Sequence, residues 1–215
     1  MGLRTNCTLN HRLERSLLAY VNAATAAGVG LMALSQPAEA KIVYTATHQV
    51  IGPNTTYQLD VNNDGKTDFT FQNLQLDSSE LLYLASQAKQ NGVYGFSFRS
   101  VPYAHAPKAG IRIGPNARFV YGNRVFMIDG NATQACHGTW NNVKHRYLGL
   151  KFLVGQNAHY GWARLNVTCE PSQFKIKAVL TGYAYQTKAN KAIVTGDTGA
   201  GASLGRLAAG VAAGK

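Results

Sequence analysis

From residue 41 onward the chain carries an apolar alternation of period two, and this limits it to a β fold. Between Thr56 and Val61, Tyr57, Leu59 and Val61 share one face, and Phe69 and Phe71 resume the pattern after a polar turn. Further along, Phe174, Ile176, Ala178 and Leu180 alternate with Lys175, Lys177, Val179 and Thr181. Successive side chains of a strand point to opposite faces, so this pattern describes antiparallel strands with one face on a core. The clearest hairpin runs from Tyr147 to Val154, turns at Gly155-Gln156-Asn157-Ala158 and returns from His159 to Cys169. On its return strand Ala163, Leu165, Val167 and Cys169 occupy one face, with Tyr160, Trp162 and Arg164 on the other. Large groups on both faces predict a central strand.

Further strands are expected around Ile42–Thr47, Val93–Arg99, Gly110–Ile113 and Arg118–Ile128, separated by Gly, Pro and Asn. One segment, Ser78 to Gln90, predicts a short helix, with Ser78 or Ser79 as the cap and Leu81, Leu82, Leu84 and Ala85 as its apolar side. The expected fold is all-β, an antiparallel β-sandwich or jelly-roll with that one helix.

Residues 1–40 have the organisation of a secretory signal. Arg4, Arg12 and Arg15 face a single acid, Glu14, at the start, and an uncharged apolar stretch runs from Leu17 to Leu34. The segment then closes on Ala38-Glu39-Ala40, the small-residue pattern that signal peptidase cuts. The stretch is near the lower length limit for a membrane anchor, but Asn22, Thr25 and its glycines make a poor span. The expected organisation is a signal peptide at 1–40, a β-sandwich domain at 41–194 and a Gly/Ala-rich tail at 195–215. Thr195 to Gly201 reads as a flexible linker, and Ser203 to Ala213 has room for a short helix.

Cleavage would leave 18 Lys+Arg against 8 Asp+Glu. The cations are scattered, with no run of four, and no zinc-finger spacing or RNA-binding aromatic signature accompanies them. They suit anionic or neutral glycans and cell-envelope components better than specific nucleic acid. Cys7 would leave with the signal, so Cys136 and Cys169 are expected to form one disulfide worth about 3–4 kcal/mol in the chain-entropy model. Metal ligation by Cys136 and His137 is the alternative, without CxxC or HExxH spacing to support it.

One motif carries chemistry. Asp60-Val61-Asn62-Asn63-Asp64-Gly65-Lys66-Thr67-Asp68 has the form D-x-N-x-D-G-x-x-D. Calcium takes six to eight oxygens, and alternate side chains of a tight loop converge on one point. Asp60, Asn62 and Asp64 would supply side-chain oxygens, Lys66 its carbonyl and Asp68 the closing ligand, with Gly65 allowing the turn. An EF-hand is excluded, because Phe71 stands where the bidentate Glu belongs and the flanks alternate as strands. The expected site is structural Ca²⁺ of extracellular affinity, about 10⁻⁴–10⁻³ M.

No catalytic residues are expected. The remaining carboxylates are mostly at turns or in the tail, no G-x-S-x-G elbow occurs, and His48, His105, His137, His145 and His159 lack ligand spacing. The chain therefore reads as a non-enzyme with a structural or adhesive role. A carbohydrate-binding module is the alternative, with Trp140, Trp162, Tyr147 and Tyr160 as rings for stacking on sugars.

Several segments together resemble a group of uncharacterised exported bacterial proteins. They are Pro37–Tyr44, the Leu59–Phe69 loop, Tyr147-Leu148-Gly149-Leu150-Lys151-Phe152, His159-Tyr160-Gly161-Trp162-Ala163-Arg164 and Gly182-Tyr183-Ala184-Tyr185. The last pieces are also similar to the C-terminal part of PEP-CTERM-type surface proteins, although the Pro-Glu-Pro signal and spanning helix of that group are missing here. The acidic loop is similar to the calcium hairpins of exported β-proteins, including FG-GAP-type propellers; a single copy does not build repeated blades. The resemblance implies export, to the periplasm, the surface or the medium of a bacterium, and a β fold. It implies no activity.

Overall fold

A computed structural model of the protein describes residues 40–131, 135–170 and 175–199. The expected signal, the tail from residue 200 and Phe174 of the C-terminal alternation lie outside the described residues.

The period-two segments form strands, fourteen among the described residues: β1 (Ile42–Ile51), β2 (Thr55–Leu59), β3 (Phe69–Leu76), β4 (Ser79–Ser86), β5 (Gly92–Phe98), β6 (Val101–Ala104), β7 (Arg112–Ile113), β8 (Phe119–Tyr121), β9 (Val125–Asn131), β10 (Ala135–His137), β11 (Val143–Val154), β12 (Asn157–Glu170), β13 (Lys175–Gln186) and β14 (Ile193–Val194). Twelve belong to one nearly closed sheet in the order β1-β13-β12-β11-β5-β6-β9-β4-β3-β2, with β10 on β9 and β8 on β5. Its pairs are antiparallel except β6 with β9, which makes the sheet mixed. The two ends of this path, β1 and β2, are joined by only Gly52–Asn54. The fold is all-β.

The expected hairpin is present as β11 and β12, in register from Arg146↔Leu165 to Val154↔Asn157. Its two-residue turn begins at Gly155 with φ of 62°, a conformation that favours glycine. As predicted, β12 is central, lying between β11 and β13.

The helix expected over Ser78–Gln90 is absent, and Ser79–Ser86 is strand β4 instead. Local propensity there is ambiguous, since Leu and Ala suit a helix and Tyr83 suits a strand. Pairing on both sides, with β3 and with β9, overrides it and buries Glu80, Leu82 and Leu84. The single strand expected over Arg118–Ile128 is divided at Gly122–Arg124 into β8 and β9.

The core fills the inside of the curled sheet. Leu59, Phe69, Phe71, Leu82 and Leu84 from one side belong to the same cluster as Leu148, Leu150, Phe152, Leu165, Val167, Ile176 and Leu180 from the other. A second cluster gathers Tyr147, Tyr160, Trp162 and Ala184 from β11–β13 with Ile113 and Ile193 of the small β7/β14 ladder. The β11–β13 layer is therefore covered on both faces.

That second covering corrects the expected start of the tail. Thr195 is buried, its N–H donates to Ile111 O at 2.8 Å, its carbonyl accepts from Gly110 N at 2.9 Å, and its hydroxyl donates to Lys108 O at 2.9 Å. Gly199 N donates to Asp197 Oδ1 at 2.9 Å. Asp197 O accepts from the Trp162 indole at 3.2 Å, so Thr195 and the residues after it follow the apolar outer face instead of leaving it as a free linker.

Candidate metal centre

Strands β2 and β3 hold the acidic loop at their shared end. The Leu59↔Phe69 pair closes the hairpin, and Asp68 N donates to Leu59 O at 2.9 Å. Leu59, Val61 and Phe69 are buried beneath it, so the apolar residues that flank the acids anchor the loop to the core. Two left-handed residues, Asn63 at φ 57° and Gly65 at φ 84°, produce the reversal.

Each acid in the loop organises backbone. Asp60 accepts from Asp64 N at 3.2 Å and from Gly65 N at 2.7 Å. Asp64 accepts from Lys66 N at 2.9 Å and from the Asn62 amide at 3.0 Å. Asp68 Oδ2 accepts from Val61 N at 2.8 Å while the residue itself is 7% exposed. These bonds turn all three carboxylates toward one short stretch of chain.

Their electrostatics are uneven. Burial pushes the Asp68 carboxyl up to about 6, partly opposed by the Val61 N–H and reinforced by the negative charges of Asp60 and Asp64. Asp64, at the surface, is held below the usual carboxylate range by the Asn62 amide, the Lys66 N–H and the Lys66 charge. Burial and then the same two acids raise the Tyr185 phenol on the neighbouring strand β13.

Among the described residues, no three His, Cys, Asp or Glu side chains are drawn together as a finished cation site. The donor set nonetheless fits a hard cation in two respects. The negative charges of Asp60 and Asp64 add to the raising of the Asp68 carboxyl, and a divalent ion would relieve that repulsion. Asn62 Oδ1 is buried with no hydrogen-bond partner, a cost that a coordinated cation would remove. The ligands would be those that the spacing indicates: Asp60, Asn62, Asp64, the Lys66 carbonyl and Asp68.

Cys136 and Cys169 are joined in a disulfide, 33 residues apart in sequence. The bond connects β10, at the margin of one side of the sheet, to β12 on the other. One step along, Ile176 pairs with Cys169, and there β1 has already ended opposite Ala178. The N–H and C=O of Ile176, without a strand partner on that side, are taken up by side chains instead. Ile176 N donates to Glu80 Oε2 at 2.6 Å, and the Asn73 amide donates to Ile176 O at 2.7 Å. Burial raises the Glu80 carboxyl, against the Ile176 N–H, Asn73 and Lys175, and both Glu80 Oε1 and Asn73 Oδ1 are buried without a partner. Sequence reasoning missed this polar bridge, since a helix would have turned Glu80 to solvent.

The four rings proposed for sugar stacking are closed to a ligand. Trp140 and Trp162 are fully buried, and Tyr147 and Tyr160 are buried as well. Trp162 packs edge-on against Tyr147 at 5.1 Å and donates to Asp197 O at 3.2 Å. Trp162 lies opposite Gly149, where a Cβ would come within 2.7 Å of Ile113. The alternation put Tyr160 and Trp162 together on one face of β12, and the β7/β14 ladder and the Thr195–Gly199 segment cover that face, whereas Trp140 lies in the main core.

No family model, curated protein or solved structure matches the chain. Function must therefore be argued from its geometry. Of the histidines, His159 lies against Gln186 O at 2.9 Å, and His105 sits between the rings of Tyr94 and Phe96 at 4.9 Å from each, its pKa lowered by burial and by Arg118. No helix among the described residues is long and apolar enough to cross a membrane.

Proposed function

We propose that this chain is an exported bacterial β-domain, stabilised by calcium, with a structural or adhesive role at the cell envelope or outside the cell. The observation that carries the calcium part is the acidic hairpin loop, where Asp60, Asp64 and Asp68 stand within nine residues and the buried Asn62 Oδ1 has no hydrogen-bond partner. The Cys136–Cys169 disulfide supports an oxidising compartment, and residues 1–40 supply the route to it. In this reading the mature protein begins at or near Lys41, and the curled sheet is a sandwich whose β2–β4 and β9 side faces β11–β13. The resemblance to exported bacterial proteins agrees with it. A role without catalysis fits the carboxylates, which cap backbone in the loop or bridge strands rather than facing one another across a cleft.

Two measurements test the reading. Thermal melts in about 1 mM calcium and in chelator should differ by about 0.4–1.4 kcal/mol of stability, given the affinity of extracellular calcium modules. Equal melting temperatures would remove calcium from the proposal. N-terminal sequencing of protein recovered from the producing bacterium should begin at or near Lys41, outside the cytoplasm; a cytoplasmic protein that retains residues 1–40 would remove export.

A further inference from the structure

The small β7/β14 ladder creates a cleft beside itself. Ile113 pairs with Ile193 and both are buried. Beyond this pair the two chains separate on the same side, as a turn closed by Ala117 N to Gly114 O at 2.9 Å and as the segment entering β14, tied by Asn190 N to Ala158 O at 2.8 Å. They touch at their root. A Cβ on Gly114 would come within 2.5 Å of the Ala192 Cβ, so only glycine lets the two chains meet there. The resulting concavity measures about 760 Å³, within the range of sites for small ligands.

Its lining is of one sign. Arg112, Arg118, Lys188 and Lys191 line it, with Asn116 and Asn190 among the neutral groups, and no Asp or Glu does. These cations come from two stretches far apart in sequence, 112–118 and 188–191, and are all exposed. Arg118 also lines an adjoining hollow containing Tyr121, a residue 45% exposed. There the Lys151 ammonium lies 5.5 Å from the Tyr121 ring centre and donates to its hydroxyl at 3.3 Å. Arg118 thus joins a basic cleft to a cation-flanked exposed ring.

We infer that this cleft binds an acidic polysaccharide, its carboxylate or sulfate groups held by Arg112, Arg118, Lys188 and Lys191. Cations gathered in a concavity repel one another, and a polyanion entering it removes that repulsion while its low-dielectric walls strengthen the attraction. Asn116 and Asn190 offer amides that both donate to and accept from sugar hydroxyls. Tyr121 presents a face to one sugar ring. A flat anionic bilayer does not enter a concavity, and one exposed ring does not make the stacking platform that successive bases of a single strand require. The inference rests on the exported-domain reading only for where such polymers are encountered. It needs no calcium.

The test is titration of the purified full exported chain, in chelator, with hexagalacturonate, with dextran sulfate and with neutral dextran. Binding of at least one acidic glycan and not of dextran is expected, and which acid binds identifies carboxylate or sulfate. Arg112→Glu with Lys191→Glu should weaken binding at least tenfold. Lys175→Glu with Lys177→Glu, the same charge change on exposed positions of β13, should alter it less than twofold. If the first pair fails to fold, Arg118→Gln and Lys188→Gln singly should each weaken binding measurably. Three results overturn the inference: no binding of either acid, equal weakening by both charge-reversed pairs, or tighter binding to phosphatidylglycerol vesicles or to an oligo-dT strand. Because calcium melts and N-terminal sequencing read different features, failure here is distinguishable from failure of the exported-domain reading.

Discussion

The acidic loop and the basic cleft are mirror cases of one arrangement. In the loop, three carboxylates fall within nine residues of one hairpin that also holds a buried amide oxygen without a partner. In the cleft, four cations gather with no acid among the lining residues. They differ in how they are assembled. The loop draws its charges from one hairpin, and each acid also bonds to nearby backbone N–H groups, so its shape is partly self-supporting. The cations have no such local partners; the β7/β14 ladder and the turn before β8 bring them together. Like charges that a fold holds together without opposite partners define a place for a ligand of opposite sign. The contrast teaches that a cluster built within one hairpin can be read from residue spacing, whereas a cluster spread over distant segments exists only once the sheet has formed.

The comparison depends on a frame that holds both regions, and the largest expected effect is on that frame. Cys136→Ala with Cys169→Ala should cost about 3–4 kcal/mol of stability, read by urea unfolding. An unchanged midpoint would mean that the two sides of the sheet do not depend on this link.

Glu80→Gln probes the polar bridge beside it. Burial raises the folded Glu80 pKa above its unfolded value, so its favourable contribution is complete below the unfolded carboxylate pKa of about 4.3 and is lost as pH rises through the raised folded value. Glutamine stays neutral, can still accept from Ile176 N, and offers a donor for the unpartnered Asn73 oxygen. The variant should be more stable than the parent by about 1–2 kcal/mol at pH 7, and this gain should shrink as the pH approaches 4. A gain independent of pH would show that charge at Glu80 is not the cause.

Smaller effects separate the loop from the cleft. Asp60→Asn with Asp64→Asn should abolish the calcium-dependent part of the melting temperature, about 0.4–1.4 kcal/mol at about 1 mM calcium, and leave acidic-glycan binding in chelator unchanged. Smallest of all for stability is Arg112→Glu with Lys191→Glu. It should leave the calcium shift intact and change the folding free energy by less than about 0.5 kcal/mol, as expected for exposed positions. Cross-effects between the two regions, in either direction, would break the comparison.

Much of the β architecture was legible in the residues. The β11–β12 hairpin, the central place of β12, the turn at Gly155 and the acidic loop between β2 and β3 all depend on neighbours in sequence. Ser79–Ser86 was misread because its leucines satisfy either period, and only pairing with both β3 and β9 decides between them. Tyr160 and Trp162 share one face of β12 by alternation alone, yet nothing local reveals that Ile113, Ile193 and Thr195–Gly199 cover that face. Thr195–Gly199 reads as part of a linker from its small residues, and its attachment is made with distant groups, Thr195 with the backbone of Lys108, Gly110 and Ile111 and Asp197 O with the Trp162 indole.

What the sequence by itself determined is the strand period, the reversal at Asn63 and Gly65 and the spacing of Asp60, Asn62, Asp64 and Asp68, because each follows from steric and polar preferences acting over a few residues. Only the tertiary structure decided that Cys136 meets Cys169, that Glu80 is buried against Ile176, and that Arg112, Arg118, Lys188 and Lys191 line one cleft. Those outcomes depend on the order of strands in the sheet, and strand order is set by burial summed over the whole core rather than by any residue's neighbours in the chain.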